Sequence, residues 1–206
     1  MSALDALREC LRKEMSPARY AHTLGVERAV CEMAKWYCPE REPMLRAAAL
    51  LHDLTKEYTR DMSEAVLSRE GITLRPDERA TPAVHHAITA PFEIARRYPE
   101  YATNDLLSAV RWHTTGREGM TLSEALLYLA DVIEEGREYP ACVALREQFF
   151  GADLARMNEQ ERMEHLVCVL LASLTGVRES VAKKGGTVCL DTERAITYLT
   201  MKKTLL

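Results

Sequence analysis

Apolar positions spaced three and four residues apart run through most of this chain, and the pattern predicts helix throughout. Leu4, Leu7 and Leu11 mark a first amphipathic helix. Ser16-Pro17 then reads as an N-cap followed by proline at the first helical position, which places His22 in the second turn of the next helix. Val26, Val30, Met33, Ala34 and Tyr37 continue its apolar stripe until Cys38-Pro39 stops it. A third helix begins after Pro43 and ends just past His52-Asp53. Asp61 to Leu67 predicts another, with Asp61 and Glu64 at capping-box spacing, and Gly71 to Asp77 reads as a loop. Thr81-Pro82 repeats the cap-then-proline start, so His85 and His86 fall near the first turn of a helix reaching Arg97.

Beyond Tyr98-Pro99, Leu106, Leu107 and Val110 lead to Trp112-His113, and the turn Thr114 to Gly119 follows. Thr121 and Glu124 form a capping box ahead of a helix lined by Leu122, Leu126, Leu129 and Ile133, on which Asp131 stands. Gly136 and Pro140 punctuate its end. Asn158 and Glu161 cap a strongly periodic helix carrying Met163, Leu166, Val167, Leu170, Leu171 and Leu174, with no ligand-type cluster, so it is expected to complete the core or an interface. Lys183-Lys184-Gly185-Gly186 turns the chain into a last short helix from Asp191 on. With no repeat, low-complexity tract or linker in view, residues 1–206 read as a single all-α domain with a helical extension over about 151–206.

Composition narrows the partners. At 206 residues and 47% hydrophobic, the chain can bury a real core. A net charge of −4 with no Lys/Arg-dense run argues against nucleic acid, so an anionic ligand would have to be drawn by a local site. Cysteines 10, 31, 38, 142, 168 and 189 form no C-x-x-C and favour reduced thiols in a cytoplasm. The charged, amphipathic N-terminus indicates neither signal peptide nor membrane span. A homodimer is compatible with all of this.

The candidate chemistry starts at Ala47 to Lys56, where an imidazole and a carboxylate stand side by side at the end of an apolar run. Both would be partly desolvated unless something claims them, and a metal ion is the natural claimant. Neighbours on a helix point about 100° apart, so other ligands must converge from other helices. The candidates are His22, His52, Asp53, His85, His113 and Asp131, with His86 as a spare, and only His165 of the six histidines falls outside them. Singly, each would be an ordinary capped or surface residue. Together, nitrogen and carboxylate donors without thiolate suit iron, manganese, cobalt or zinc in an open catalytic site.

His22, His52-Asp53 and Asp131 match the pattern of the HD superfamily of metal-dependent phosphohydrolases, and His85 and His113 resemble the set found in its two-metal members. More narrowly, Arg19 to Val26, Leu50 to Lys56, Ala109 to Gly116 with Met120, and Ala130 to Arg137 resemble the YqeK family, bacterial symmetrical dinucleoside tetraphosphate hydrolases that are all-helical and contain iron. His86 departs from that family, which more often has a small residue after the ligand histidine. The likeness covers roughly residues 19 to 147, with a metal-binding core at about 17–137.

The resemblance implies one ion on His22, His52, Asp53 and Asp131, and a second on Asp53, His85 and His113. Two ions sharing Asp53 would activate water for attack on phosphorus. Lys56 could offset charge on a phosphate oxygen, Thr114, Thr115 and Gly116 could present hydroxyl and N–H groups to phosphates, and Arg19 and Arg137 could make further phosphate contacts. Each of these also has an ordinary structural reading, as a helix-end lysine, a tight turn or a surface ion pair. The expected activity is cleavage of a dinucleoside tetraphosphate to two nucleoside diphosphates. The alternatives are a cyclic-dinucleotide phosphodiesterase, a nucleotide phosphatase, or a non-catalytic nucleotide-binding regulator.

Overall fold

Side-chain caps decide where most of the helices begin. The computed structural model describes residues 2–205, which are all-α, with no strand among them. Ser2 caps α1 (Ala3–Glu14) and Asp5 closes the box by accepting from the Ser2 N–H. Ser16 accepts from the Arg19 N–H to start α2 (Pro17–Tyr37), whose end at Cys38 precedes a 3₁₀ turn, Pro39–Arg41. That turn runs straight into α3 (Glu42–Leu51), so Pro43 lies within the first turn and does not precede the helix.

Three further starts differ from the sequence reading. Helix α4 (Arg60–Arg69) is capped by Thr59, whose hydroxyl accepts from the Met62 N–H; Asp61 is already helical, and Glu64 takes Arg60 as its partner at 2.6 Å. The stretch expected as loop holds a single turn, α5 (Pro76–Arg79). Thr81 does not cap a helix, because its hydroxyl donates to the Asp77 and Thr187 carbonyls. A 3₁₀ turn, Pro82–Val84, intervenes, and α6 (His85–Arg97) opens on His85 itself.

The remaining helices are α7 (Asn104–Trp112), α8 (Leu122–Ile133), α9 (Pro140–Phe150), α10 (Glu159–Lys183) and α11 (Leu190–Leu205). The capping boxes Thr121–Glu124 and Asn158–Glu161 both form as the spacing predicts. Helix α9 had no clear periodic signal, and α11 is longer than the short helix expected.

Helices α2, α3, α7 and α8 form the centre, burying Val26, Val30, Met33, Leu45, Leu50, Leu51, Leu106, Val110, Leu126 and Leu129 in one continuous core. Each such side chain is worth roughly 1.5–3 kcal/mol on leaving water. Helix α6 covers α7 and α4, while α10 packs on α9 and α8 through Leu166, Val169, Leu170 and Leu174. By length and mean hydropathy α10 could cross a bilayer, yet those four residues are part of the core. Helix α11 lies against α10, and its start is tied back by an Asp191–Arg75 ion pair, by the Leu190 N–H to Asp77 at 2.8 Å, and by the Thr192 hydroxyl to the Thr115 carbonyl at 2.9 Å. His165, on α10, lies 3.2 Å from the Phe149 carbonyl and is not among the converging ligands. All six cysteines are free.

Candidate metal centre

The central helices deliver their polar ends to one point. His22 projects from the second turn of α2, His52 and Asp53 follow the last residue of α3, His86 is the second residue of α6, His113 follows α7, and Asp131 sits near the end of α8. Backbone bonds fix two of the rings. The Nδ1–H of His52 donates to the Ala49 carbonyl at 2.7 Å, and that of His113 to the Val110 carbonyl at 2.6 Å. Both rings therefore aim an Nε2 lone pair inward.

Asp53 stands in the middle. Its Oδ2 lies 3.4 Å from His52 Nε2 and 3.8 Å from His22 Nε2, while its Oδ1 lies 3.2 Å from His86 Nε2 and 3.7 Å from His113 Nε2. Asp131 Oδ1 reaches His22 Nε2 at 2.9 Å and His52 Nε2 at 3.8 Å. One carboxylate thus faces two sets of imidazoles, one on each oxygen. His85, the expected ligand, is elsewhere: its Nε2 lies 2.9 Å from the Glu78 carbonyl, and the neighbouring His86, 5% exposed, takes the place beside Asp53. The reason is helical phase. His85 is the first residue of α6, and its neighbour is turned by about 100° toward the core.

Whether these residues fit a divalent ion can be tested on the buried polar atoms. His22 Nε2, His52 Nε2 and Asp53 Oδ1 are buried with no hydrogen-bond partner, although each unmet group costs roughly 1–3 kcal/mol. Donor atoms of His22, His52 and Asp53, of His52, His113 and Asp131, and of Asp53, His86 and His113 fall into three groups, each within 4.8 Å. Lone pairs aimed at shared points, all nitrogen and oxygen, fit divalent transition-metal ions.

Without metal the cluster is electrostatically coupled. Burial opposes charge on His22, but Asp131 and Glu134 outweigh it and push the ring up to about 9. Burial pushes His86 down to about 4, with Asp53 opposing only in part. Burial would raise the Asp53 carboxyl, yet His52, His113 and His86 hold it well below the usual range.

These shifts set a pH profile for the metal-free protein. The raised His22 contributes stability that is whole below 6.5 and is lost as pH climbs through about 9; the depressed His86 costs stability as pH falls from 6.5 toward 4. Thermal melts of chelator-treated protein are expected to peak near pH 6.5 and fall on both sides. A plateau extending up to about pH 9.5 would contradict this assignment of His22.

Cations ring the centre. Arg19 pairs with Asp53, and Arg137 with Asp131 at 2.8 Å. The exposed Lys56 reaches back to put its ammonium 3.2 Å from His86 Nε2, and the Thr114 hydroxyl lies 3.2 and 3.1 Å from His86 and His113 Nε2. The structure does not bring the Thr115 hydroxyl to this point: the residue is buried and donates to the Gly116 carbonyl at 2.9 Å. Gly116 serves the turn, with φ +62° and Met120 Sδ 3.3 Å from where a Cβ would stand. Beside Lys56 and His86 opens a cleft of about 680 Å³, walled by Tyr58, Leu67, Leu74 and Ala83, a size ordinary for small-molecule sites. Sequence reasoning gave no role to Glu134, which accepts from His22 Nδ1 at 3.1 Å; its place one helical turn from Asp131 was the available signal.

The HD domain family matches residues 19–136 of the chain. The symmetrical bis(5'-nucleosyl)-tetraphosphatase of Bacillus subtilis (strain 168) is 30% identical over 138 residues, covering 67% of this chain and 73% of that protein. A protein of the same name from Halalkalibacterium halodurans is 31% identical over 144 residues, covering 68% and 73%. A crystal structure from Clostridium acetobutylicum, described as a predicted HD superfamily hydrolase involved in NAD metabolism, superposes with a TM-score of 0.83 at 28% identity, over 98% of this chain and 100% of that one.

Proposed function

This chain belongs to the HD domain family, and from that premise we propose that it hydrolyses dinucleoside tetraphosphates between the two central phosphates, releasing two nucleoside diphosphates. The observation that carries the reading is Asp53, whose two oxygens face separate pairs of imidazoles inside a ring of Arg19, Lys56 and Arg137. The names of the B. subtilis and H. halodurans relatives support the choice of substrate.

His22, His52, Asp53 and Asp131 would hold one ion, and Asp53, His86 and His113 the other, with iron as the proposed metal. Bound there, divalent ions supply Lewis acidity toward a phosphoryl oxygen and lower the pKa of an attacking water. The protein's own groups do the rest. Arg19, Lys56 and Arg137 bind and orient the anionic chain, and the Thr114 hydroxyl donates to a phosphate oxygen. Lys56, at the mouth of the cleft, offsets charge on the departing diphosphate, while the cleft receives one nucleoside end. Water adds its oxygen to one central phosphorus and the bond to the central bridging oxygen breaks, so no covalent intermediate is required. No cysteine belongs to the converging groups.

The test is a panel of purified protein loaded with iron, manganese or cobalt against diadenosine tetraphosphate, cyclic dinucleotides and mononucleotides. ADP is the expected sole product, one of the two molecules from each substrate carrying ¹⁸O when the reaction runs in labelled water. AMP plus ATP as primary products, or turnover of cyclic dinucleotides alone, would overturn the proposal.

A further inference from the structure

We propose that Glu134 is a positioning residue, the carboxylate that orients His22 and raises its basicity toward one ion of the pair. The three rings whose outer nitrogen has a defined acceptor are not supported alike. His52 and His113 lean on neutral backbone carbonyls three residues back, whereas His22 Nδ1 lies 3.1 Å from Glu134 Oε1. A carboxylate in that place fixes the Nδ1–H tautomer, leaves Nε2 as the donor, and strengthens it.

The carboxylate is itself built in. Glu134 is 3% exposed and stands at the C-cap of α8 in extended conformation (φ −58°, ψ 152°), which turns the chain out of the helix. Its Oε2 accepts from the Gly136 N–H at 2.7 Å, and the guanidinium of Arg146 donates to the Ile133, Glu134 and Arg137 carbonyls at 3.3, 2.6 and 3.3 Å. Two glycines make room. A Cβ on Gly25 would lie 2.1 Å from Glu134 Oε2, and one on Gly136 would lie 3.0 Å from both oxygens. Gly25 sits inside α2, where glycine is the poorest helix former after proline, so space for this carboxylate explains a residue that helix formation disfavours.

The consequence is an asymmetry. Glu134 supports only the ion on His22, His52, Asp53 and Asp131; the ion on His86 and His113 has no such backing. This rests on the two-ion reading of the cluster. Wild-type protein that binds no divalent ion would sink that reading, and this inference with it.

The experiment is a competition titration of the full chain with Mn²⁺ or Co²⁺, combined with melting of the metal-free form. Glu134→Ala is expected to weaken one ion by roughly 10–100-fold and spare the other. In a His22→Ala background it should cause no further loss, because its route is through that ring. Glu134→Gln should weaken the same ion by less, since the amide oxygen can accept from only one of His22 Nδ1–H and Gly136 N–H; the same cycle run on it keeps the test independent of how the alanine variant folds. Gly25→Ala should mimic Glu134→Ala. Unchanged affinity in the Glu134 variants, or an equal loss in the His22→Ala background, would overturn the proposal.

Discussion

Replacing Asp53 by alanine is expected to strip both ions from the protein and to lower turnover by at least about a thousandfold, since Lewis-acid stabilisation is worth several kcal/mol and each 1.36 kcal/mol is about tenfold in rate. The size of the effect follows from position. Asp53 has an oxygen toward each pair of imidazoles, whereas the only imidazoles Asp131 contacts are those of His22 and His52. Asp131→Ala should therefore cost one ion and Asp53→Ala two. Removing Asp53 also leaves the Arg19 guanidinium beside the site without its carboxylate, so Asp53→Asn, which keeps the shape, is the companion variant. Metal content of protein purified without chelator, read beside kcat for both variants, decides the matter. One tightly held ion that survives Asp53→Ala and is indifferent to His113→Ala would show that the carboxylate is not shared.

The parts of this molecule legible in the sequence are those where a local rule and the tertiary structure agree. Ser16-Pro17, Thr121 with Glu124, and Asn158 with Glu161 start helices as read, because a hydroxyl or amide oxygen has no better partner than the N–H groups three residues on. The rule fails where a competitor appears. Thr81 gives its hydroxyl to the Asp77 and Thr187 carbonyls, and the second of these lies across the fold, out of reach of any local reading. Asp61 lost its capping role to Thr59 only two residues away. Helix α9 packs on α8 and α10 with a weak apolar stripe, so its existence rests on tertiary contact more than on pattern.

The candidate site divides the same way. His22, His52, Asp53, His113 and Asp131 each stand beside apolar positions that face the core, so their convergence could be read one helix at a time. The place of Thr115 in the turn suggests a phosphate contact, but the start of α11 claims its carbonyl and its hydroxyl turns to Gly116. Glu134 is not legible in the sequence, because its partner is 112 residues away and a glutamate at a helix end is usually a surface acid.

His86→Ala is expected to cost one ion and most of the turnover, and His85→Ala neither. The two rings are adjacent in sequence and differ only in which way the first turn of α6 presents them. His86 is buried, 3.2 Å from Asp53 Oδ1 and 3.1 Å from His113 Nε2; His85 is partly exposed and spends its Nε2 on the Glu78 carbonyl. Loss of a metal-binding imidazole removes the charge stabilisation of its ion, at least about a hundredfold in kcat if that ion supplies even 3 kcal/mol to the transition state. Loss of the His85 contact removes one neutral hydrogen bond, about 1 kcal/mol of stability, and should appear only in the melting temperature. The comparison is internally controlled, because both substitutions cut an imidazole from the same turn and disturb the helix start alike. Equal metal content in the two variants would overturn the placement of His86, and not His85, on the second ion. A loss confined to His85→Ala would place the ligand set as the sequence motif alone implied, with His86 as its neighbour in the wall of the cleft.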